Sequence, residues 1–581
     1  MMPSQGQDSA TRPVGRLGLL AALMCVAAAA AVLSLAVIAI LVAADLRDLR
    51  TDPLDSPELA ELRARLAANP RDMALAEKVR QLDLDLRRAH FAHVAFTRRG
   101  NYLLLGCVAV FLAAIRSALA CAKKLKRPTG KAGDVDGETR ATHRARYAVA
   151  ALAGFLGAAV LMPVAVAAYI RWRTGPPPPP HYADPAEVAR YWTRFRGPGG
   201  RAVSTHANVP TTWDANSGQS ILWKVPVPLA GKSSPVVWKD RVFLTAASRN
   251  KRLVLCYEAD SGKLLWQRPV ENVPGSPVRP PEAWEDTGYA ASTPTVDDRY
   301  VFAIFANGDL ACFAHDGELI WAKGLGAPKN MYTHASSLLM FRHLLLVLWD
   351  QATVDDYMSK LLAFDGETGR LVWQKRRPVA NSWATPVIFH DGKRHQLVCS
   401  ANPWVISYDP AGAQELWRAK CMEGGDVASS PTYADGIAYA VSAETRLVAI
   451  RADGSGDVTK THIIWDSADG LPDITSPLTD GKLLWTLTTG GRLLCYDAKT
   501  GKKAYEHEFE KVFNASPSLA GERLYLLTTK GVTYVVRAGR KFELLRTNKL
   551  GEAVYASPAF QDGRIYIRGK KHLYCIAKKL K

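Results

Sequence analysis

Eight residues, each a few positions ahead of a Ser-Pro-type dipeptide, have side chains that together could do chemistry: Lys232, Tyr289, His334, Trp383, Asp426, Asp473, Asn514 and Tyr555. The set is aromatic, polar and mixed in charge. Rings of this kind anchor protein contacts. The oxygens of Asp426, Asp473 and Asn514 suit a hard cation, and an Asp can serve as a general base. Charges at such a place also steer an approaching partner. No sharper motif competes, because the chain has no Gly-rich phosphate loop, HExxH, GxSxG, CxxC or CxxCH. Neither zinc nor covalent haem is therefore indicated.

The dipeptides belong to a repeat. They fall at Ser234-Pro235, Thr293-Pro294, Thr385-Pro386, Ser430-Pro431, Ser476-Pro477, Ser516-Pro517 and Ser557-Pro558, with Ser336-Ser337 in the third slot, which makes eight. Each opens an apolar strand such as Val236-Val237-Trp238 and passes a turn such as Asp480-Gly481. Each closes on a strand carrying Trp266, Trp321, Trp373, Trp417 or Trp465, with Tyr505 and Leu545 in copies six and seven. Short strands and Gly turns repeating every 40–50 residues or so build a β-propeller. The eighth copy ends at Lys581 without a closing strand, and Ser220–Val227, which contains Trp223, supplies one from upstream. The expectation is an all-β eight-bladed β-propeller over 191–581, with four-stranded antiparallel blades and an N-terminal strand closing the last blade. Such closure leaves no sticky sheet edge. The eight residues named above would then ring the mouth of the central channel, while the Trp residues pack between blades.

The pattern A-x-D-x-x-T-G-x-x-x-W, complete from Ala363 to Trp373 and partial at Ala259–Trp266 and Asp497–Tyr505, resembles the tryptophan-docking repeat of pyrroloquinoline quinone (PQQ) enzymes. It equally resembles their non-catalytic relatives, the BamB-like assembly lipoproteins. Trp192-x-x-Phe195-Arg196-Gly197-Pro198 is similar to the opening of bacterial PQQ-like repeat proteins. The catalytic branch of this resemblance implies PQQ and Ca²⁺, with Trp383, Asn514, Asp426 and Asp473 around them. The chain lacks that branch's adjacent cysteine pair and long roofing inserts; its largest extra segments are Glu271–Asp286 and Gln351–Ser359. The expectation is a binding scaffold without cofactor. A membrane PQQ-dependent dehydrogenase and an envelope ligand sensor or complex subunit are the alternatives.

The first 190 residues differ in composition. A short N-terminus, 1–16, precedes apolar runs at 17–44, 101–122 and 147–170, each long enough to span a bilayer of about 20 helical residues. Between them lie a charged helical segment, 45–100, and a loop, 123–146, that holds eight Lys/Arg. Basic loops stay in the cytoplasm. Three spans thus predict an inner-membrane protein with its propeller on the periplasmic side, held off by the Pro-rich linker 171–190. The expected partners are the membrane and an envelope protein or peptide.

The net charge of +19 does not indicate nucleic acid. Residues 1–180 carry 24 Lys/Arg against 14 Asp/Glu, and the remainder carries 50 against 41, with no basic aromatic stripe. Four of the nine cysteines, Cys256, Cys312, Cys495 and Cys575, share one repeat slot, too far apart around a ring to bridge, and read as buried hydrophobes.

Overall fold

The computed structural model describes residues 22–34, 37, 107, 109–118, 120 and 182–578. The chain divides into two units, Met1–Pro179 and Pro180–Lys581. In the first, residues 22–34 and 109–118 are helical, and Ala27, Ala30 and Ala31 pack against Phe111 and Ala114. Among the described residues no helix is long and apolar enough to cross a membrane. The expected spans 17–44 and 101–122 are represented by those helical stretches alone. Segments 1–16, 45–100, 123–146 and 147–170 lie outside the described residues.

The second unit is a ring of eight sheets, each built on four antiparallel strands; two carry a fifth, parallel strand, Val203–Ser204 on blade 7 and Gly456–Asp457 on blade 4. Blade 1 comprises Val236–Trp238, Arg241–Ala247, Arg252–Glu258 and Leu264–Pro269. Blades 2 to 7 repeat the plan. Blade 8 takes Ala559–Gln561, Arg564–Arg568 and His572–Ala577 from the C-terminus, and its outer strand, Ile221–Pro226, from the N-terminal side. The expected closure is thus the observed one. Burial follows position in the blade: Val236–Trp238 is buried at every residue, whereas Ile221–Pro226 alternates and turns Trp223 inward. Inner strands have packing on both faces, and outer strands keep one face wet.

The repeat motif has a geometric meaning. In all eight blades the register slips by one residue between the third and outer strands, beside the Trp position. Such a bulge re-aims a side chain. Here it delivers the ring to the next blade. Trp223 lies over Gly262, Trp266 over Gly317, Trp321 over Gly369 and Trp465 over Gly501. Their indole N–H groups donate to Ala259, His315, Gly366 and Ala498 carbonyls at 2.8–3.0 Å. Gly262 and Gly369 have φ of +73° and +67°, and a Cβ on either would lie 2.6 Å from the ring above it. Only glycine suits both demands. The motif's Asp and Thr shape the same turn: Asp365 Oδ1 accepts from Thr368 N and Oγ1 at 2.9 and 2.7 Å. Blade 4 differs. Trp417 donates to Gln396 Oε1 at 2.8 Å, and Gln396 in turn donates to the Ala452 carbonyl of blade 5. Trp373 packs among blade-4 residues such as Leu397 and Tyr408, but its indole N–H has no acceptor.

Cys256, Cys312, Cys495 and Cys575 are buried and free, as are Cys399 and Cys421, and burial pushes all six thiols up.

Candidate functional site: a single-ended axial cavity

The Ser and Thr of the repeat dipeptides line the ring's axis. The backbone N–H of each donates to the hydroxyl of the next: Ser234 to Thr293, Thr293 to Ser337, Ser337 to Thr385, and so on to Ser557, at 2.8–3.1 Å. This makes seven links among eight blades. Ser234 Oγ, at the seam between blades 8 and 1, accepts no such bond. The seam is held differently, by Arg568 Nη1 donating to Ser233 Oγ at 2.7 Å and to the Thr245 carbonyl at 2.6 Å.

Residues 192–204 seal one end of the axis. The Trp192 carbonyl accepts from Val237 of blade 1, and that of Thr193 from Val296 of blade 2. Arg196 donates to the carbonyls of Pro431 and Pro477, at the entrances of blades 5 and 6. Val203–Ser204 pairs in parallel with Ser518–Ala520 of blade 7. Trp192 meets Phe560 of blade 8 edge-on at 5.2 Å and packs over Gly197, whose φ is +62°. The opening motif is therefore a plug. Burial pulls the Arg196 guanidinium down to about 9, so it remains charged at neutral pH.

Above the plug lies a cavity of about 470 Å³ floored by Phe195 and the ring of hydroxyls. Six of the eight sequence candidates line it: Lys232, Trp383, Asp426, Asp473, Asn514 and Tyr555. Tyr289 and His334 do not. Tyr289 packs against the blade 1–2 core, and His334 is buried and stacked on Trp349 at 5.0 Å. The reason is register. Every residue two positions before a Ser/Thr step faces the cavity: Lys232, Ala291, Ala335, Trp383, Ala428, Ile474, Asn514 and Tyr555. Tyr289 stands four before its step and His334 three. Asp426 and Asp473 also break the offset but reach the cavity. Holding the offset constant would have excluded Tyr289 from sequence alone; His334, two before Ser336, is excluded only because Ser337 holds the hydroxyl's place in the ring. Tyr332, Asp286 and Glu444 complete the wall and carried no repeat signal.

The wall therefore holds four carboxylates, Asp286, Asp426, Glu444 and Asp473, against one ammonium, Lys232. Lys232 Nζ donates to the Glu285 carbonyl at 2.6 Å and lies 4.9 Å above the Tyr555 ring. Burial is the main cause lowering its pKa, opposed by Asp286 and Glu285. Trp383 sits edge-on to Tyr332 at 5.1 Å and donates its indole N–H to the Thr333 carbonyl. PQQ with Ca²⁺, the group the fold implies, calls for oxygen ligands gathered at one point and cations for the quinone's own carboxylates. Among the described residues no three His, Cys, Asp or Glu side chains are placed to hold a metal ion, and the single lining cation is already engaged. The residues present do not fit that pair.

The blade motif and the plug define a PQQ-like β-propeller. The family profile that matches is described as "Outer membrane protein assembly factor BamB", over residues 192–336, 250–387, 357–458 and 457–541, and the chain belongs to this family. No curated protein sequence matches the chain. Among solved structures, a europium-containing methanol dehydrogenase is similar with a TM-score of 0.51 and 11% identity, covering 66% of this chain and 90% of that one. The quinohemoprotein alcohol dehydrogenase of Comamonas testosteroni has a TM-score of 0.51 and 13% identity, covering 68% and 82%. BamB from Moraxella catarrhalis has a TM-score of 0.46 and 16% identity, covering 61% and 99%. At these identities the two dehydrogenases share the fold alone.

Proposed function

We propose that this chain is a membrane-anchored, non-catalytic binding scaffold of the bacterial envelope that engages a protein or peptide through the open mouth of its propeller. The observation that carries this reading is the cavity itself: closed at one end, walled by aromatic and acidic side chains, and lacking a ligand set for the quinone cofactor. Membership in a family described as an assembly factor agrees with binding rather than turnover. The apolar runs 17–44, 101–122 and 147–170 and the basic loop 123–146 support an anchor that holds the propeller outside the cytoplasm.

The mouth reading is tested with Tyr555→Ala, a half-buried wall residue whose loss leaves the blade core intact. Capture of envelope partners should fall several-fold with an unchanged melting temperature. Retention of PQQ with its visible absorbance, together with substrate-dependent dye reduction, would overturn the reading in favour of a dehydrogenase. A reporter active only outside the cytoplasm should be active after Lys581 and silent near Gly133; the reverse pattern refutes the topology.

A further inference from the structure

We propose that the axial cavity receives a cationic side chain, ammonium or guanidinium, presented by a basic peptide segment. This rests on the mouth being the binding site and names the chemistry of its guest. Charge is the first ground. Asp286, Asp426 and Glu444 form no ion pair or hydrogen bond, and Asp473 accepts only from the neutral Thr489 hydroxyl. Lys232 makes no ion pair with any of them, and although its charge acts on Asp286, one ammonium against four carboxylates leaves the wall acidic. Arg196 lies beneath the floor, engaged by the Pro431 and Pro477 carbonyls, and does not line the cavity.

The aromatic wall is the second ground. Tyr332 and Trp383 form an edge-to-face pair beside the acids, and ring faces attract cations within about 6 Å. The cavity already shows this mode, with the Lys232 ammonium over Tyr555. The third ground is Ser234. It is 2% exposed and lines the cavity, yet its Oγ has no hydrogen-bond partner, unlike the seven equivalent hydroxyls. The hydroxyl faces the cavity and so offers a free acceptor to a guest N–H donor.

The carboxylates are spread around the wall instead of gathered as metal ligands. That spread suits an organic cation with several N–H donors. The closed floor admits a side-chain tip and blocks threading. Trp284 and Ile474 are exposed apolar residues at 56 and 41%. The Trp284 ring lies tilted against Tyr332 at 6.1 Å, and Ile474 lines the mouth. Apolar side chains such as Ile474 and Trp284 beside an acidic well fit a basic residue flanked by apolar ones, which selects a peptide over a free polyamine.

The test titrates the full-length protein with acetyl-Leu-Lys-Leu-amide, its norleucine counterpart and spermidine, following tryptophan fluorescence and heat. The lysine peptide should bind at least about tenfold more tightly than the norleucine peptide, by the magnitude of a desolvated cation–π contact with a charge partner. It should weaken by a similar factor in Asp426→Asn/Asp473→Asn and with added salt. Equal binding of the two peptides, indifference to the double substitution, or binding of spermidine without the lysine peptide would each overturn the proposal. If partner capture survives in the double variant but fails in Tyr555→Ala, the cation inference falls and the mouth reading stands. If Tyr555→Ala also leaves capture unchanged, the mouth reading falls with it.

Discussion

Alanine at Gly262, alone and combined with Trp223→Ala, probes how blades 8 and 1 are locked. Trp223 is 8% exposed, so truncating it costs about 3–5 kcal/mol from lost burial and the cavity left behind. The lower part of that range applies, because the Ala259 carbonyl that accepts its indole N–H keeps the Tyr566 hydroxyl at 3.3 Å and is not orphaned. Gly262→Ala has two costs. The left-handed backbone at φ +73° costs about 1 kcal/mol for a residue with a side chain. The new Cβ would stand 2.6 Å from the indole, and displacing a packed ring costs about 1–3 kcal/mol. With Trp223 already truncated, only the backbone strain and a milder contact with Val225 remain. The two substitutions should therefore be non-additive, with a coupling energy of about 1–3 kcal/mol. Urea midpoints at constant m value measure it. Additivity to within about 0.5 kcal/mol would refute ring-on-glycine docking as the lock at the seam.

The hydroxyl ring predicts a contrast: Ser476→Ala strips the acceptor from the Ser430 N–H and should cost about 1–2 kcal/mol, whereas Ser234→Ala, which removes no protein hydrogen bond, should cost almost nothing in the same urea assay. Burial holds His334 down at about 4, against about 6.5 unfolded. Between those values the unfolded chain binds a proton that the folded chain refuses. The stability is therefore complete above about pH 6.5 and is lost as pH falls toward 4, by up to about 3 kcal/mol, and His334→Phe should flatten that part of the profile of stability against pH. The thiols of Cys256, Cys399, Cys421, Cys495 and Cys575, pushed up to about 12, should resist a disulfide reagent at pH 8 in the native protein and react once urea unfolds it.

The repeat made the ring legible before the structure, because a blade is a local unit whose turn, bulge and ring each leave a residue in a fixed slot. Closure of blade 8 by Ile221–Pro226 was legible too, since the missing Trp strand could be counted. The cavity was only partly so. Lys232, Trp383, Asn514 and Tyr555 follow from the periodic offset; Asp286, Glu444 and Tyr332 come from loops whose paths no repeat dictates. The plug was visible as a motif but not as a plug. Arg196 bonds carbonyls more than 200 residues away, and nothing local announces such a partner. Residues 182–190, expected as the end of a spacer, instead fasten to the ring: Ala183 and Val188 pack in the core of blades 1 and 2, and Glu187 pairs with Lys239 at 3.0 Å.

The plug also has a mechanical consequence. A tension applied to the chain ahead of Trp192 does not meet a terminal strand that could unzip one bond at a time. It meets a knot of backbone and guanidinium hydrogen bonds anchored in blades 1, 2, 5, 6 and 7, loaded together in shear. The pull is shared among five blades instead of falling on one strand.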